Sequence, residues 1–209
     1  MRSAKSKPSG QFRIIAGEWR GRRVGFPAID GLRPSTDRVR ETLFNWLAPH
    51  IKQTRCLDLF AGSGALGLEA LSRGAASCDF IDQQSVAVRA IRDHLAVLGA
   101  EPRGQAFTQD ALTWRQERPY DIVFVDPPFK TDLVTPALNH LETAGLLAET
   151  ALVYIEQPQR RGQIEQRQNL TCLREKTAGE VRYQLLAYNL ACKETSGDKP
   201  AMAITESPE

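Results

Sequence analysis

Several kinds of segment are missing from this chain of 209 residues, and each absence excludes a class of protein. No apolar run approaches the roughly 20 residues that a membrane-spanning helix needs. The basic residues 1–10 lack the apolar core of a secretion signal, so we expect a cytoplasmic protein. The four cysteines are scattered without a C-x-x-C spacing, which predicts reduced thiols. The three histidines lack ligand spacing, which predicts no metal site.

Charge is distributed unevenly along the chain. Residues 1–55 contain 12 lysines and arginines and 4 acidic residues, whereas residues 56–209 contain 15 and 21. A basic N-terminal part on a mildly acidic body predicts a polyanionic partner, and nucleic acid is the usual one. We expect residues 1–10 to be a disordered basic leader and residues 11–50 to form a nucleic-acid-binding arm.

The arm is predicted to consist of a β-hairpin and a helix. Phe12–Ala16 and Arg22–Phe26 have the composition of short strands, and the turn between them carries Trp19. Pro34 disfavours a helix before it, and one of the three residues after it, Ser35, Thr36 or Asp37, can cap a helix that follows. Helical spacing of apolar residues then predicts one buried face, formed by Val39, Leu43, Trp46 and Leu47.

Residues 51–191 alternate between strand-like and helix-like segments, which predicts a parallel sheet covered by helices. Two final strand-like runs, Cys172–Thr177 and Val181–Tyr188, are joined by a short turn and predict an antiparallel last strand. The predicted fold is α/β and Rossmann-like, with a mostly parallel seven-stranded sheet. Residues 192–209 are polar and are expected to be a disordered tail. The predicted parallel strands are Arg55–Phe60, Ser77–Ile81, Gln105–Thr108, Tyr120–Val125 and Ala151–Glu156.

Glycines or aspartates follow the first three of these strands, at the edge where open parallel sheets bind ligands. Gly62 to Gly67 match G-x-G-x-x-G, which allows a tight turn and favours an anionic group at the helix start. Asp82 lies 20 residues after Gly62, a distance that suits ribose binding by either a nicotinamide enzyme or a methyltransferase. Simpler explanations are a ligand-free turn for the glycines and a helix cap for Asp82. Asp110 can accept from an adenine amino group or cap the segment after it.

The segment Asp126-Pro127-Pro128-Phe129 ends the fourth parallel strand. The carboxylate of Asp126 and the carbonyl of Pro127 can each accept a hydrogen bond from a planar –NH₂ group, and Phe129 can stack on a base. Holding both hydrogens frees the nitrogen lone pair for methyl transfer, so the segment favours amine methylation with S-adenosylmethionine. The target base must be unpaired or flipped out. A proline turn with an acidic cap is the simpler alternative.

The chain resembles class I amino-methyltransferases in DLFAGSG at residues 58–64 and DPPF at residues 126–129. A narrower resemblance lies in RIIAGEWRGR at residues 13–22 and RPSTDRVRETLFNW at residues 33–46. These segments are similar to the bacterial RsmD family, which methylates N2 of a guanine in 16S ribosomal RNA. The resemblance covers residues 11–190 and implies S-adenosylmethionine as cofactor, S-adenosylhomocysteine as product and no metal. It also implies 16S ribosomal RNA as partner, within an assembled or assembling small subunit; we expect a monomer that binds no membrane.

Roles for individual residues follow from the resemblance. The turn after the first parallel strand would line the methyl donor, while Asp82 would bind its ribose and Asp110 its adenine. The residues that bind the cofactor would be Asp58, Phe60, Ala61, Gly62, Ser63, Gly64, Asp82, Asp110 and Ala111. The catalytic residues would be Asp126, Pro127 and Phe129. The arm would meet RNA through Trp19, Arg20, Arg22, Arg23, Arg38 and Arg40.

One position departs from the family pattern, since many relatives have Glu where this chain has Asp82, whose side chain is one methylene shorter. The family's core motifs are shared with adenine-N6 methyltransferases, so the residues alone leave the base open. A NAD-dependent oxidoreductase would explain only the glycine turn and Asp82. A non-catalytic RNA-binding assembly factor would explain the arm but would make Asp126 dispensable.

Overall fold

The computed structural model describes residues 10–27, 36–164 and 166–190. The expected leader, apart from Gly10, and the expected tail lie outside these residues. Four helices are described: α1 (Asp37–Leu47), α2 (Ala65–Ser72), α3 (Ser85–Leu98) and α4 (Val134–Thr143). The strands are β1 (Gly10–Arg13), β2 (Arg23–Phe26), β3 (Arg55–Asp58), β4 (Ser77–Asp82), β5 (Gly104–Thr108), β6 (Tyr120–Val125), β7 (Leu147–Pro158), β8 (Leu170–Ala178) and β9 (Val181–Tyr188).

A seven-stranded sheet forms the centre of the molecule, in the order β5-β4-β3-β6-β7-β9-β8. The pairs from β5 to β7 are parallel, whereas β9 runs antiparallel to both β7 and β8. The α/β fold with an antiparallel last strand is therefore confirmed. This order reverses between β3 and β6, and such a point in an open sheet is where ligands bind.

Two layers of apolar side chains cover the sheet. One face packs against α1, α2 and α3 and includes Phe44, Leu68 and Phe124. The other face packs against α4 and includes Val123 and Leu138. None of the helices in the described ranges is long and apolar enough to span a bilayer.

The hairpin of β1 and β2 is packed onto the helices of the first face. Phe12, Ile14 and Val24 are buried in the same apolar cluster as residues of the central sheet. Glu69 of α2 accepts hydrogen bonds from the N–H groups of Ile15 (2.8 Å) and Ala16 (3.0 Å). The arm is thus part of the folded body and not a separate flap.

The expected strand Phe12–Ala16 is wrong at its end, since β1 stops at Arg13. The reason is that Ile15 and Ala16 donate their N–H groups to Glu69 instead of to the facing strand. The expected helix cap is provided by Thr36, whose hydroxyl accepts from the N–H of Val39. β7 is longer than the predicted Ala151–Glu156 because its end pairs with β9 as far as Pro158.

Candidate functional site

The sheet edge formed by the C-terminal ends of β3, β4 and β6 brings together three predicted site segments. The glycine turn follows β3, Asp82 ends β4 and Asp126 follows β6. Parallel pairing of β3 with both β4 and β6 places these segments side by side. We name this edge the catalytic edge, after the role that the sequence predicts for its residues.

The turn between β3 and α2 takes a conformation that only glycine adopts easily. Gly62 and Gly64 have φ values of 50° and 76°, in the left-handed region. The N–H of Gly64 donates to the carbonyl of Ala61 at 2.6 Å, which closes the turn. Ala61 and Ser63 are buried, while Phe60 is half-buried. The turn ends at the N-terminus of α2, where backbone N–H groups and the helix dipole favour a carboxylate or phosphate.

The third glycine of the motif has a packing role. A Cβ at Gly67 would lie 2.2 Å from Cε1 of Phe80 and 2.8 Å from Sγ of Cys78, both on β4. Gly67 thus lets α2 approach the sheet closely. Its N–H also donates to Oδ2 of Asp58 at 3.0 Å, which ties the first turn of the helix to the end of β3.

Asp58 is an acid buried beneath the glycine turn, with 2% of its surface exposed. The pKa of Asp58 is raised to about 7, chiefly by burial; the hydrogen bond from Gly67 offsets part of this rise, and the negative charge of Asp82 adds to it. A cation placed over the turn would favour the ionised form. The carboxyl group is therefore suited to respond to a positively charged ligand near neutral pH.

Asp82 connects the two loops at the catalytic edge. Its Oδ2 accepts from the N–H of Gly62 at 2.8 Å, and its Oδ1 accepts from the N–H of Gln84 at 2.7 Å. A carboxylate has about four acceptor positions, so two remain for ribose hydroxyl groups. The shorter side chain of aspartate at this position thus reaches the glycine turn directly.

Asp110 follows β5 and forms the cap that the sequence left open as an alternative. Its Oδ1 accepts from the N–H of Leu112 at 2.8 Å and caps the short 3-10 turn Ala111–Thr113. Asp110 itself is exposed and Ala111 is buried. Capping uses one acceptor position of the carboxylate, so it does not compete with binding of an amino group.

The DPPF segment presents two acceptors and an aromatic face. Pro127 is buried, Asp126 is half-buried and Phe129 has 38% of its surface exposed. The carbonyl of Pro128 accepts from both the N–H (2.9 Å) and the hydroxyl (2.6 Å) of Thr131. No donor from the described residues bonds the carbonyl of Pro127. The two prolines thus differ: the carbonyl of Pro128 closes the loop, whereas the carbonyl of Pro127 accepts no hydrogen bond from the described residues.

A second acid at this edge was not predicted. Val125 pairs with Ile155, so Asp126 and Glu156 are neighbours at the ends of β6 and β7. Glu156 is buried and accepts a hydrogen bond from the hydroxyl of Tyr154 at 2.8 Å. Burial raises the pKa of Tyr154, and the charges of Glu156 and Asp126 raise it further, so this hydroxyl remains a donor between two acids. The signal in the sequence was an acid at the end of another predicted strand.

The predicted RNA contacts of Arg40 and Trp19 are wrong, because both side chains lie inside the protein. Arg40, on α1, is 0% exposed; it donates to Asp37 and to the carbonyl of Arg13, and its Nη1 lies 3.8 Å from Glu69. Trp19 is 4% exposed, beneath the guanidinium of Arg103 at 5.2 Å. The hairpin is packed against α1 and α2, so side chains between these elements are not available to RNA.

The other predicted arginines of the arm, Arg20, Arg22, Arg23 and Arg38, are exposed. Arg13, which was not predicted, is also exposed and pairs across the hairpin with Arg23. Like charges directly opposite each other on a hairpin are destabilising. This pair therefore favours an anionic group on the outer face of the hairpin.

The tip of the hairpin lies far from the catalytic edge. The N–H of Trp19 donates to the hydroxyl of Ser72, the last residue of α2, and the N–H of Glu18 donates to its carbonyl. Arg103, which precedes β5, forms an ion pair with Glu18 at 2.7 Å. Since α2 runs back from the catalytic edge to the start of β4, the tip lies at the N-terminal edge of the sheet.

No group of three or more His, Cys, Asp or Glu side chains that could hold a metal ion occurs in residues 10–27, 36–164 and 166–190. The acids at the catalytic edge are instead bonded to backbone N–H groups and a tyrosine. The arrangement can bind a ligand through carboxylates, glycine backbone and an exposed aromatic ring.

Comparisons with known proteins match nearly the whole described chain. A family model described as "Conserved hypothetical protein 95" matches residues 12–187. Ribosomal RNA small subunit methyltransferase D of Escherichia coli (strain K12) is 46% identical over 187 residues, which cover 88% of this chain and 94% of the relative. The protein of the same name from Haemophilus influenzae is 42% identical over 181 residues, with coverage of 84% and 93%.

Solved structures of methyltransferases also match this chain. That of yhhF from Escherichia coli is 47% identical, has a TM-score of 0.79 and is matched over 86% of this chain and 99% of its own. SMU.776, solved in complex with SAH, is 18% identical with a TM-score of 0.63, over 87% of this chain and 57% of its own. The second likeness concerns the fold alone. The family match includes the hairpin as well as the sheet.

Proposed function

We propose, from the premise that this chain belongs to the family of ribosomal RNA small subunit methyltransferase D, that it transfers a methyl group from S-adenosylmethionine to small-subunit ribosomal RNA. We further propose the exocyclic N2 of a guanine as the acceptor. The observation that carries the proposal is the position of Asp126 and Pro127 beside the glycine turn on one sheet edge.

The residues of the turn fit the methyl donor. The donor's carboxylate would lie at the N-terminus of α2, where the first backbone N–H groups of a helix have no partner within the helix. Its ammonium group would favour the ionised form of Asp58. Asp82 has acceptor positions left for ribose hydroxyl groups, and Asp110 for the adenine amino group.

The cofactor supplies an electrophilic methyl group on sulfur, and the protein provides the alignment. Asp126 and the carbonyl of Pro127 hold the two hydrogens of the base amine. With both hydrogens held, the lone pair of the nitrogen would be free to attack the methyl group that the cofactor supplies, with the C–S bond electrons returning to sulfur, and the surplus proton would pass to solvent. Phe129 supports the ring of the base by stacking. No strong base is needed, because the methylated nitrogen is acidic.

Two neighbouring acids support guanine over adenine. On its Watson–Crick edge guanine has a donor, N1–H, next to the amino group, whereas adenine has an acceptor, N1, next to its amino group. Asp126 and Glu156 place two carboxyl groups side by side at this part of the catalytic edge. Two neighbouring carboxyl groups offer acceptors for the N1–H and amino group of guanine together, whereas N1 of adenine offers no donor to the second one.

The exposed arginines of the arm are proposed to bind the RNA backbone: Arg13, Arg20, Arg22, Arg23 and Arg38. The chain is proposed to act as a monomer in the cytoplasm, on RNA within an assembled or assembling small subunit. Residues 51–191 would form the methyltransferase domain and residues 11–50 the RNA-binding part.

Transfer of tritium from labelled S-adenosylmethionine onto small subunits that lack the modification tests this function. Nucleoside analysis is expected to show N2-methylguanosine; N6-methyladenosine would refute the choice of base, and no incorporation would refute the function. Asp126→Ala should lower the rate about 100-fold or more while calorimetry shows unchanged cofactor binding. Asp93→Ala, at an exposed acid of α3, is the matched control and should keep the wild-type rate.

A further inference from the structure

Two exposed cations lie on the loops that follow β6 and β7 at the catalytic edge. Lys130 follows Phe129 directly, and Arg160 lies in the short 3-10 turn Gln159–Arg161 that follows β7. Both side chains are exposed, and neither forms an ion pair or hydrogen bond with any described residue. The neighbouring loops after these two parallel strands thus carry two cations without acidic partners.

Contacts within the protein fix the two loops relative to each other. Arg161 forms an ion pair with Asp132, three residues after Phe129, and so joins the turn after β7 to the loop after β6. The turn is itself held by three further hydrogen bonds, from Gln159 N–H to the carbonyl of Glu180 and from the side chains of Gln157 and Arg182 to the carbonyl of Gly162. Arg160 is therefore carried by an anchored turn and not by a free loop.

The local charge differs from that of the surrounding chain. Residues 56–209 contain more acidic than basic side chains, by 21 to 15. On the outer side of the two loops, Asp132 is paired with Arg161, so the exposed Lys130 and Arg160 remain as a positive excess at the rim, outside the half-buried Asp126. Such an excess at the rim of a base-binding edge is complementary to phosphate.

We propose that Lys130 and Arg160 form a clamp that binds the phosphodiester groups flanking the target nucleotide. The clamp rests on the proposed function, because it requires that a base enters the catalytic edge beside Phe129. A nucleotide turned into the edge leaves its phosphates outside the pocket, at the rim where these two side chains lie. The arm arginines would bind other parts of the RNA.

The test compares Lys130→Gln, Arg160→Gln and the double variant with Arg118→Gln. Arg118 is an exposed arginine that precedes β6 at the opposite edge of the sheet, so its replacement changes the charge equally. The readouts are methyl transfer to small-subunit ribosomal RNA and RNA binding at several salt concentrations. Calorimetry with S-adenosylhomocysteine checks that the cofactor site is intact.

Each clamp variant is expected to lower kcat/KM about two- to fivefold. It should also reduce the slope of log K against log salt by about 0.7, with twice that change in the double variant. Arg118→Gln should leave both unchanged, and cofactor binding should be equal in all variants. Wild-type activity and slope in the double variant would overturn the clamp but leave the methyltransferase intact. Failure of the wild-type protein to methylate RNA would instead remove the function on which the clamp rests.

Discussion

The replacement Glu69→Ala would test how the arm is held on the body. Glu69 is 0% exposed and accepts from the N–H groups of Ile15 and Ala16 and from Nε of Arg73 at 2.7 Å. Its carboxylate also lies near the buried guanidinium of Arg40. Alanine would leave two backbone donors and one buried cation without this acid.

The expected loss can be worked out from these contacts. A backbone N–H that loses its acceptor in a buried place costs about 1–3 kcal/mol. Removing one partner from a buried ion pair costs about 3–5 kcal/mol. Because the arm can relax and admit water, the costs do not add fully, and we expect a fall of about 4 kcal/mol in the free energy of unfolding. That is a large part of the roughly 5–15 kcal/mol typical of a domain.

Urea unfolding measures this loss, and hydrogen exchange of individual amides locates it. The amides of Ile15 and Ala16 should exchange faster in Glu69→Ala through local opening of the arm. The amides of β6 should exchange only as fast as global unfolding of the variant permits. Glu69→Gln should lose less, since it keeps one acceptor oxygen. Glu101→Ala, at an exposed acid before β5, is the control. A fall below about 1 kcal/mol with unchanged exchange at Ile15 and Ala16 would show that Glu69 does not hold the arm.

Three further predictions concern the pH dependence, the packing and the aromatic face. Asp58 has a folded-state pKa of about 7 against an ordinary 3.8, so the stability from its protonated form is complete below pH about 4 and is lost as the pH rises through 7. Between pH 4 and 8 the free energy of unfolding of the wild-type protein, measured with urea, should therefore fall by up to about 4 kcal/mol more than that of Asp58→Asn. If the two proteins showed the same dependence of this free energy on pH, the raised pKa of Asp58 would be refuted. Gly67→Ala should destabilise by about 1–3 kcal/mol in thermal unfolding because its Cβ would meet Phe80, and an unchanged Tm would contradict the close packing. Phe129→Ala should lower kcat/KM for RNA methylation about 5- to 150-fold, whereas Phe129→Tyr should retain most of it. A kcat/KM of Phe129→Ala equal to that of the wild-type protein would exclude stacking of Phe129 on the base.

The central sheet could be predicted because its signals are local. Apolar runs of strand length ended in glycines or acids, and helical spacing filled the segments between them, so the order of elements followed from the chain alone. The end of β1 could not be predicted in this way. Ile15 and Ala16 look like strand residues, but their N–H groups bond to Glu69, more than 50 residues away.

The RNA-binding residues of the arm could likewise be predicted only in part, because their exposure depends on contacts between distant parts of the chain. The charge of residues 11–50 marks the arm as basic, but it does not tell which side chains pack inward, and so Trp19 of the hairpin and Arg40 of α1 were wrongly predicted to contact RNA. The available signal was Glu69, one acid within an otherwise apolar helix, ALGLEALS. A buried acid needs a cation, and Glu69 has two, Arg73 at 2.7 Å and Arg40 at 3.8 Å. Glu156 was missed because only the register between β6 and β7 places it beside Asp126.

The position of the hairpin tip sets a minimum size for any RNA that binds the catalytic edge and the arm at the same time. The six residues of β6 separate the two edges of the sheet by about 20 Å. A nucleotide or very short strand that fills the catalytic edge cannot also reach Arg20 and Arg22 at the tip. Only an RNA whose backbone runs along the side of the molecule can contact both the catalytic edge and the hairpin tip. The length of the strands therefore favours binding of a larger folded RNA over binding of short fragments.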